Sequence, residues 1–243
     1  MAVIAAYCFV DLPDAPGLRA LLEQGARQAG LMGTVIVAPE GLNLSLAGAP
    51  DAVQGWLDAL MADPRFAGMD IKRHASDRIP FGRLRVKLKP EIIRMNQPAV
   101  RPAAERAPAV DAPTLVRWLE QGHCDAGRPV LLLDTRNAFE VDHGAFEGAI
   151  DWRLHKFSDF PAALQAHAAE LQGKTVVSYC TGGIRCEKAA LWMAQAGVPN
   201  VLQLEGGILR YFEATGTAPH WRGECFVFDE RTALAAADTA GAA

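Results

Sequence analysis

The residues most able to do chemistry form one unbroken run, Cys180-Thr181-Gly182-Gly183-Ile184-Arg185, directly behind the apolar stretch Val176-Val177-Ser178-Tyr179. Such a strand delivers a cysteine to its carboxyl end, where open α/β sheets gather their sites. Gly182 and Gly183 let the backbone curl until its N–H groups converge on the sulfur. A helix starting just afterwards turns its positive N-terminus to the same point, and Arg185 adds a guanidinium. Each influence favours thiolate over thiol, so Cys180 is expected to titrate below the ordinary value of about 8.5. A low-pKa thiol among converging amides is a nucleophile with an anion pocket already built. A lone cysteine after a strand is more often inert packing; here the register of glycines, arginine and helix start argues for reactivity.

The neighbouring residues admit two readings each. Cys186 invites a disulfide or relay with Cys180, yet Cys186, Ala189, Ala190, Met193 and Ala196 also recur at helical spacing, as an inward stripe would. Asp134 and Arg136 end a buried strand; a pair of this kind orients a catalytic loop or merely ties one down. Cys225 lies in an alternating apolar run and is expected to pack. Cys8 and Cys124 have no motif around them, and Gly206-Gly207 is expected to shape a turn. Six histidines without ligand spacing, and no Cys-x-x-Cys, give no reason to expect a zinc site or other metal.

A chain of 243 residues, half of them hydrophobic, is long enough for one or two packed domains. No apolar run approaches the roughly 20 residues of a membrane span. The N-terminus reads as a strand, with no signal peptide expected. Five cysteines at irregular spacing suit a reducing compartment, so the cytoplasm is expected. The net charge of −4 hides a local excess: Lys72 to Arg106 carries ten Lys/Arg against three acids. Within it, Arg83, Arg85, Lys87 and Lys89 alternate with Leu84, Val86 and Leu88, placing four cations on one strand face. Four like charges repel one another unless solvated or met by an anion; a phosphate backbone is one such anion, and Arg94, Arg101 and Arg106 extend the track.

The elements that must position these groups fall into two parts. Strands are expected at Val3 to Val10, Thr34 to Ala38, Leu42 to Ala47, Ile71 to His74 and Leu84 to Leu88. Helices are expected at Pro16 to Ala29 and at Asp51 to Met61, the latter capped by Asp51. This β-α-β-β-α-β order predicts a ferredoxin-like (acylphosphatase-like) α+β domain over residues 1–96. Pro98, Pro102, Pro108 and Pro113 mark a linker over 97–113. Residues 114–231 then alternate strand and helix, predicting an α/β domain with a mainly parallel sheet. Its helices are expected at Thr114 to Gln121, Ala162 to Leu171, Arg185 to Ala196 and Ile208 to Thr215. Its strands are expected at Val130 to Leu133, Thr175 to Tyr179 and Val201 to Leu204. The Ala-rich tail, 232–243, is expected to fray.

Loop length narrows the chemistry. Cysteine phosphatases place five residues between Cys and Arg, whereas here there are four, a tighter ring suited to a sulfur atom carried on the cysteine. Cys180 to Arg185 resembles the active-site loop of a rhodanese domain, and Asp134-Thr135-Arg136, Phe139-Glu140 and Gly148-Ala149-Ile150 resemble its upstream motif. The longer run Cys180 to Ala189, Leu204 to Ile208 and Gly223 to Arg231 resemble the bacterial rhodanese-related tRNA uridine hydroxylases, as do Gly33 to Gly48 and Phe81 to Met95. The resemblance spans most of residues 3 to 231. It implies a tRNA substrate and conversion of the wobble uridine, position 34, to 5-hydroxyuridine with molecular oxygen as co-substrate and no other cofactor evident. It further implies Cys180 as the essential thiolate, with a persulfide as a candidate intermediate and hence a possible sulfur donor. Where the family commonly has Ile-Asn-Gly-Thr this chain has Leu42-Asn43-Leu44-Ser45, so a different hairpin turn is expected. Many members also carry a cysteine-rich C-terminal extension, whose functions are not expected here. A thiosulfate-type sulfurtransferase and a non-catalytic tRNA-binding protein remain open beside the hydroxylase.

Overall fold

A computed structural model describes residues 1–239, which divide into two compact units. The first comprises Met1–Arg94 with Phe228–Arg231; the second contains Met95–Val227 and the segment from Thr232.

In the first unit, β1 (Ala2–Phe9), α1 (Ala15–Gln28), β2 (Met32–Ala38), β3 (Gly41–Gly48), α2 (Pro50–Met61), β4 (Ile71–Ala75) and β5 (Leu84–Leu88) follow in order. The sheet runs β4-β1-β3-β2-β5, with every pairing antiparallel except β2 with β5. This is the ferredoxin-like arrangement with one added edge strand. Period two along the strands sends Ile4, Val35, Val37, Leu44 and Leu46 to the helices, where Leu18 and Leu22 of α1 and Val53 and Leu57 of α2 meet them. Both helices start on a proline in the first turn, where its missing N–H costs nothing. That geometry corrects the cap of α2: Ala49 is the N-cap and Asp51 lies inside the first turn, favourable to the helix dipole but no cap. The expected change of turn at Leu42-Asn43-Leu44-Ser45 is also absent. These residues lie within β3, in register with both neighbours, Leu42 and Leu44 are buried, and Asn43 Nδ2 donates to Ile92 O at 3.3 Å.

The second unit is built on a five-stranded sheet. Its elements are β6 (Ala109–Val110), α3 (Ala112–Gln121), β7 (Val130–Asp134), α4 (Ala138–Val141), β8 (Gly144–Phe146), β9 (Ile150–Asp151), α5 (Phe160–His167), β10 (Thr175–Tyr179), α6 (Ile184–Gln195), β11 (Val201–Leu204), α7 (Gly207–Thr215), β12 (Trp221–Gly223), β13 (Cys225–Phe226) and β14 (Ala233–Leu234). The order β6-β11-β10-β7-β9 is parallel throughout. Leu132, Val177, Tyr179 and Leu204 pack with Leu115 of α3 and Ile208 and Phe212 of α7. On α6, Cys186, Ala189, Ala190 and Met193 are buried where the helix meets β10 and β11. The strand at the middle, β10, is buried along its whole length, as parallel sheets covered on both faces require.

Three stretches differ from expectation. Within 97–113, Val100, Pro102 and Ala107 are buried, β6 pairs with β11, and Pro113 belongs to the first turn of α3, which Asp111 caps through Thr114 N–H at 2.8 Å. Prolines there begin structure as much as they interrupt it. The tail expected to fray from Thr232 is ordered through Thr239: β14 pairs with β13, and Leu234 and Thr239 are buried. A short leucine-bearing strand needed only one small partner strand to be held. Ala240 to Ala243 lie outside the described residues. The small pieces α4, β8, β9, β12 and β13 were too short for any periodicity to show. Among the described residues no helix is long and apolar enough to cross a membrane.

Candidate active site

Cys180 follows β10 at the carboxyl edge of the parallel sheet, beside the end of β7, where Thr135 N–H and Oγ1 both donate to Tyr179 O, at 3.0 and 2.9 Å. Gly183 is the N-cap of α6 at φ +102°, a left-handed turn that glycine adopts freely, and its N–H donates to Cys180 Sγ at 3.2 Å. One amide of the loop, that of Gly183, is thus aimed at the sulfur. From the other side α7 closes in, with Ile208 N–H donating to Cys180 O (2.9 Å) and Leu209 N–H to Thr181 O (3.1 Å). This approach requires Gly207: at φ +67°, a Cβ there would stand 2.4 Å from Cys180 O and 2.7 Å from Gly183 N. Gly206-Gly207 thus does more than shape a turn.

Electrostatics at the sulfur follow from burial and its opponents. Cys180 is fully buried, which pushes its thiol up. The hydrogen bond from Cys186, the Arg185 charge and the backbone N–H groups of Cys186 and Arg185 outweigh that and bring it down to about 5. Cys186, equally buried and facing that sulfur, is driven well above the thiol range and stays protonated. At Cys225 burial prevails: despite the Arg136 charge and a hydrogen bond from Thr181, the thiol is pushed up to about 12. Thr181 and Gly182 form the half-exposed rim, with Ile184 partly exposed behind them.

Arg185 does not stand free beside the sulfur. Its Nη1 and Nη2 donate to Glu140 Oε2 and Oε1 at 2.6 and 2.8 Å, and Nη2 reaches Thr181 Oγ1 at 3.4 Å. The Glu140 carboxylate, completely buried, also accepts from Asn137 N–H at 3.0 Å. Its backbone carbonyl is held by Arg136 Nη1 at 3.3 Å, while Arg136 Nη2 donates to Gly144 O at 2.7 Å. Arg136 is itself paired with Asp134, Nη2 to Oδ2 at 2.6 Å, with neither side chain exposed. The Asp134–Arg136 pair therefore fixes the segment that carries Glu140, and Glu140 fixes Arg185. Cys180, Thr181, Gly183, Arg185 and Cys186 are brought together directly; Asp134 and Arg136 reach them only through Glu140.

Glu140 is the residue that sequence reasoning passed over as a site member. The signals available were its place in the Phe139-Glu140 motif and its position three residues after Asn137, the N-cap of a four-residue helix, and neither pointed to Arg185. The cations Arg83, Arg85, Lys87 and Lys89 are all exposed on or beside β5 in the first unit, and Val86 is buried on the opposite side of that strand. Arg85 pairs across from Thr34 and Lys87 from Ile36. Arg94, Arg101 and Arg106 are exposed as well, and Arg106 Nε lies 3.4 Å from Glu187.

Residues 1–92 match the UPF0176 acylphosphatase-like domain and residues 114–214 the rhodanese-like domain. A protein of Variovorax paradoxus named tRNA uridine(34) hydroxylase is 62% identical over 232 residues, covering 96% of this chain and 88% of its own. Proteins of the same name from Bordetella avium and Burkholderia pseudomallei are 60% and 55% identical, each covering 95% of this chain and respectively 95% and 78% of their own. Likeness at this level along both units makes this chain a member of the tRNA uridine(34) hydroxylase family.

Proposed function

We propose that this protein hydroxylates the wobble uridine of tRNA, position 34, to 5-hydroxyuridine, with molecular oxygen as co-substrate and Cys180 as the essential nucleophile. The observation that carries the chemistry is the buried sulfur of Cys180 held as thiolate by Gly183 N–H, the Cys186 thiol and the Arg185 charge. A thiolate that is ionised at neutral pH attacks electrophilic centres, and the surrounding loop amides stabilise negative charge that builds on it or on an atom it carries. Thr181, Gly182, Gly183, Ile184 and Arg185 form the anion-holding loop, and Asp134, Arg136 and Glu140 keep Arg185 in place.

In this reading the acylphosphatase-like part, 1–96, carries the tRNA contact through Arg83, Arg85, Lys87 and Lys89, and the rhodanese part, 114–231, carries the reaction. Exposed cations at alternating strand positions match the phosphate backbone in charge and need no base sequence. A tRNA substrate and five free cysteines support a cytoplasmic setting. The test is mass spectrometry of wobble nucleosides in tRNA from cells lacking the gene, complemented under air with the wild-type protein or with Cys180→Ser. 5-Hydroxyuridine is expected to return with the first and not with the second. Intact 5-hydroxyuridine in the deletion strain would overturn the reading, and thiosulfate-to-cyanide transfer by the purified protein would then favour a sulfurtransferase.

A further inference from the structure

Cys186 is a buried nucleophile to which hydroxylation as described assigns only a hydrogen bond. Its Sγ lies 4.0 Å from Cys180 Sγ, and both side chains are fully buried. The Cys186 sulfur also lies 2.9 Å from Gly183 O and 3.7 Å from Gln203 Oε1, oxygens whose partial negative charge disfavours a thiolate there. The pair thus consists of one thiolate and one thiol in contact, shielded from other thiols by burial. Alanine would satisfy packing at this place, as Ala189 and Ala190 do further along α6.

A disulfide has an S–S length of about 2.05 Å, so closure requires the two sulfurs to approach by about 2 Å. On the side away from α7 the loop is open at Gly182, so side-chain rotation of Cys180 with a small shift of the crest can bring the sulfurs together. A Cβ at Gly182 would meet nothing within 4 Å, so open space surrounds the loop crest, and Gly183 already uses glycine's wider conformational range. Cys186, in the first turn of α6, is the more firmly held partner.

We propose that Cys186 is the resolving thiol of Cys180, closing a Cys180–Cys186 disulfide once a peroxide has oxidised Cys180. In the first step the Cys180 thiolate attacks one peroxide oxygen; an S–O bond forms, the O–O bond breaks, hydroxide leaves, and the sulfur gives up two electrons to become a sulfenic acid. In the second step the Cys186 sulfur attacks Cys180 Sγ; an S–S bond forms, the S–O bond breaks, and the hydroxyl leaves with the Cys186 proton as water. A dithiol reductant supplies the two electrons that restore both thiols. Trapping at the disulfide stage diverts Cys180 from sulfinic acid, which no thiol reverses. This matters most at a reactive sulfur with few bystanders able to intercept it.

The experiment uses the full-length reduced protein, hydrogen peroxide as the oxidant, and no tRNA, so its outcome and that of the hydroxylation test are independent. After oxidation, intact mass is measured and a non-reducing tryptic digest is mapped, cleavage after Arg185 separating the two cysteines onto different peptides. The wild-type chain is expected to lose the mass of two hydrogen atoms and to yield the Cys180 and Cys186 peptides cross-linked, with full return on dithiothreitol. Cys186→Ser and Cys186→Ala are expected to gain two oxygens at Cys180 instead, whereas Cys225→Ser keeps the cross-link. Should the wild-type chain form no cross-link and accumulate sulfinic acid at Cys180 as fast as the Cys186 variants, the proposal is overturned. A cross-link to Cys225 in place of Cys186 overturns it equally, and the wild-type mapping decides both without requiring any variant to fold.

Discussion

Glu140 grips Arg185 through two hydrogen bonds, at 2.6 and 2.8 Å, with carboxylate and guanidinium both buried. The pair joins the segment after β7 to the loop after β10, so two separately folded turns are locked by one bidentate contact. A buried pair of this kind adds little net stability over well-packed apolar residues, yet removing one partner strands a charge in the interior. Glu140→Gln is therefore expected to cost about 3–5 kcal/mol in urea denaturation. A loss under about 1 kcal/mol would show that Arg185 finds water or another partner.

Gly207 provides a steric test of the same loop. Gly207→Ala places a methyl 2.4 Å from Cys180 O at a φ of +67°, so both contact and backbone are strained. A loss of roughly 1–3 kcal/mol is expected, together with slower alkylation of Cys180 as α7 is pushed off the loop. Gly182→Ala meets no atom within 4 Å and is expected to leave stability nearly unchanged, as thermal unfolding of the two variants will show.

The contrast between those two glycines also shows what can be read from sequence. Strand-to-cysteine delivery, the glycine turn and the helix start are local in the chain, and β5, β10 and β11 fall at the expected residues. Local patterns carried them. Glu140 and Gly207 act on the loop from elements 40 residues before and 27 after Cys180, and no periodicity encodes such meetings. Asp134 and Arg136 were legible as a buried pair, but that they work through Glu140 depends on a four-residue helix and a carbonyl contact. The pairing of Arg185 with Glu140 was not legible either, since the two are distant in sequence. The tail and the proline-rich stretch were misjudged because composition speaks for chain flexibility and says nothing of a neighbouring strand edge.

The cationic strand gives a prediction in solution. Arg85→Glu and Lys87→Glu alter exposed side chains and leave Val86 in the core, so folding is expected to be retained. Affinity for tRNA is expected to fall, and the slope of log affinity against log salt to become shallower by about one for each phosphate contact removed. Filter binding or fluorescence anisotropy across a salt series measures both. Unchanged affinity at every salt concentration would assign the stripe to protecting an exposed sheet edge from pairing with other chains.

The ionisation of one sulfur is tested most directly by the pH dependence of Cys180 alkylation, followed on its own peptide by mass spectrometry. Burial opposes the charge, but the Cys186 thiol, Arg185 and the backbone amides favour it, so the group loses its proton as pH rises through about 5. Iodoacetamide is therefore expected to react at a rate that climbs around that pH and stays level from neutral to about 8.5, where an ordinary cysteine is only half ionised. A rate that instead keeps rising through pH 8 to 9, as for a free thiol, would contradict the account.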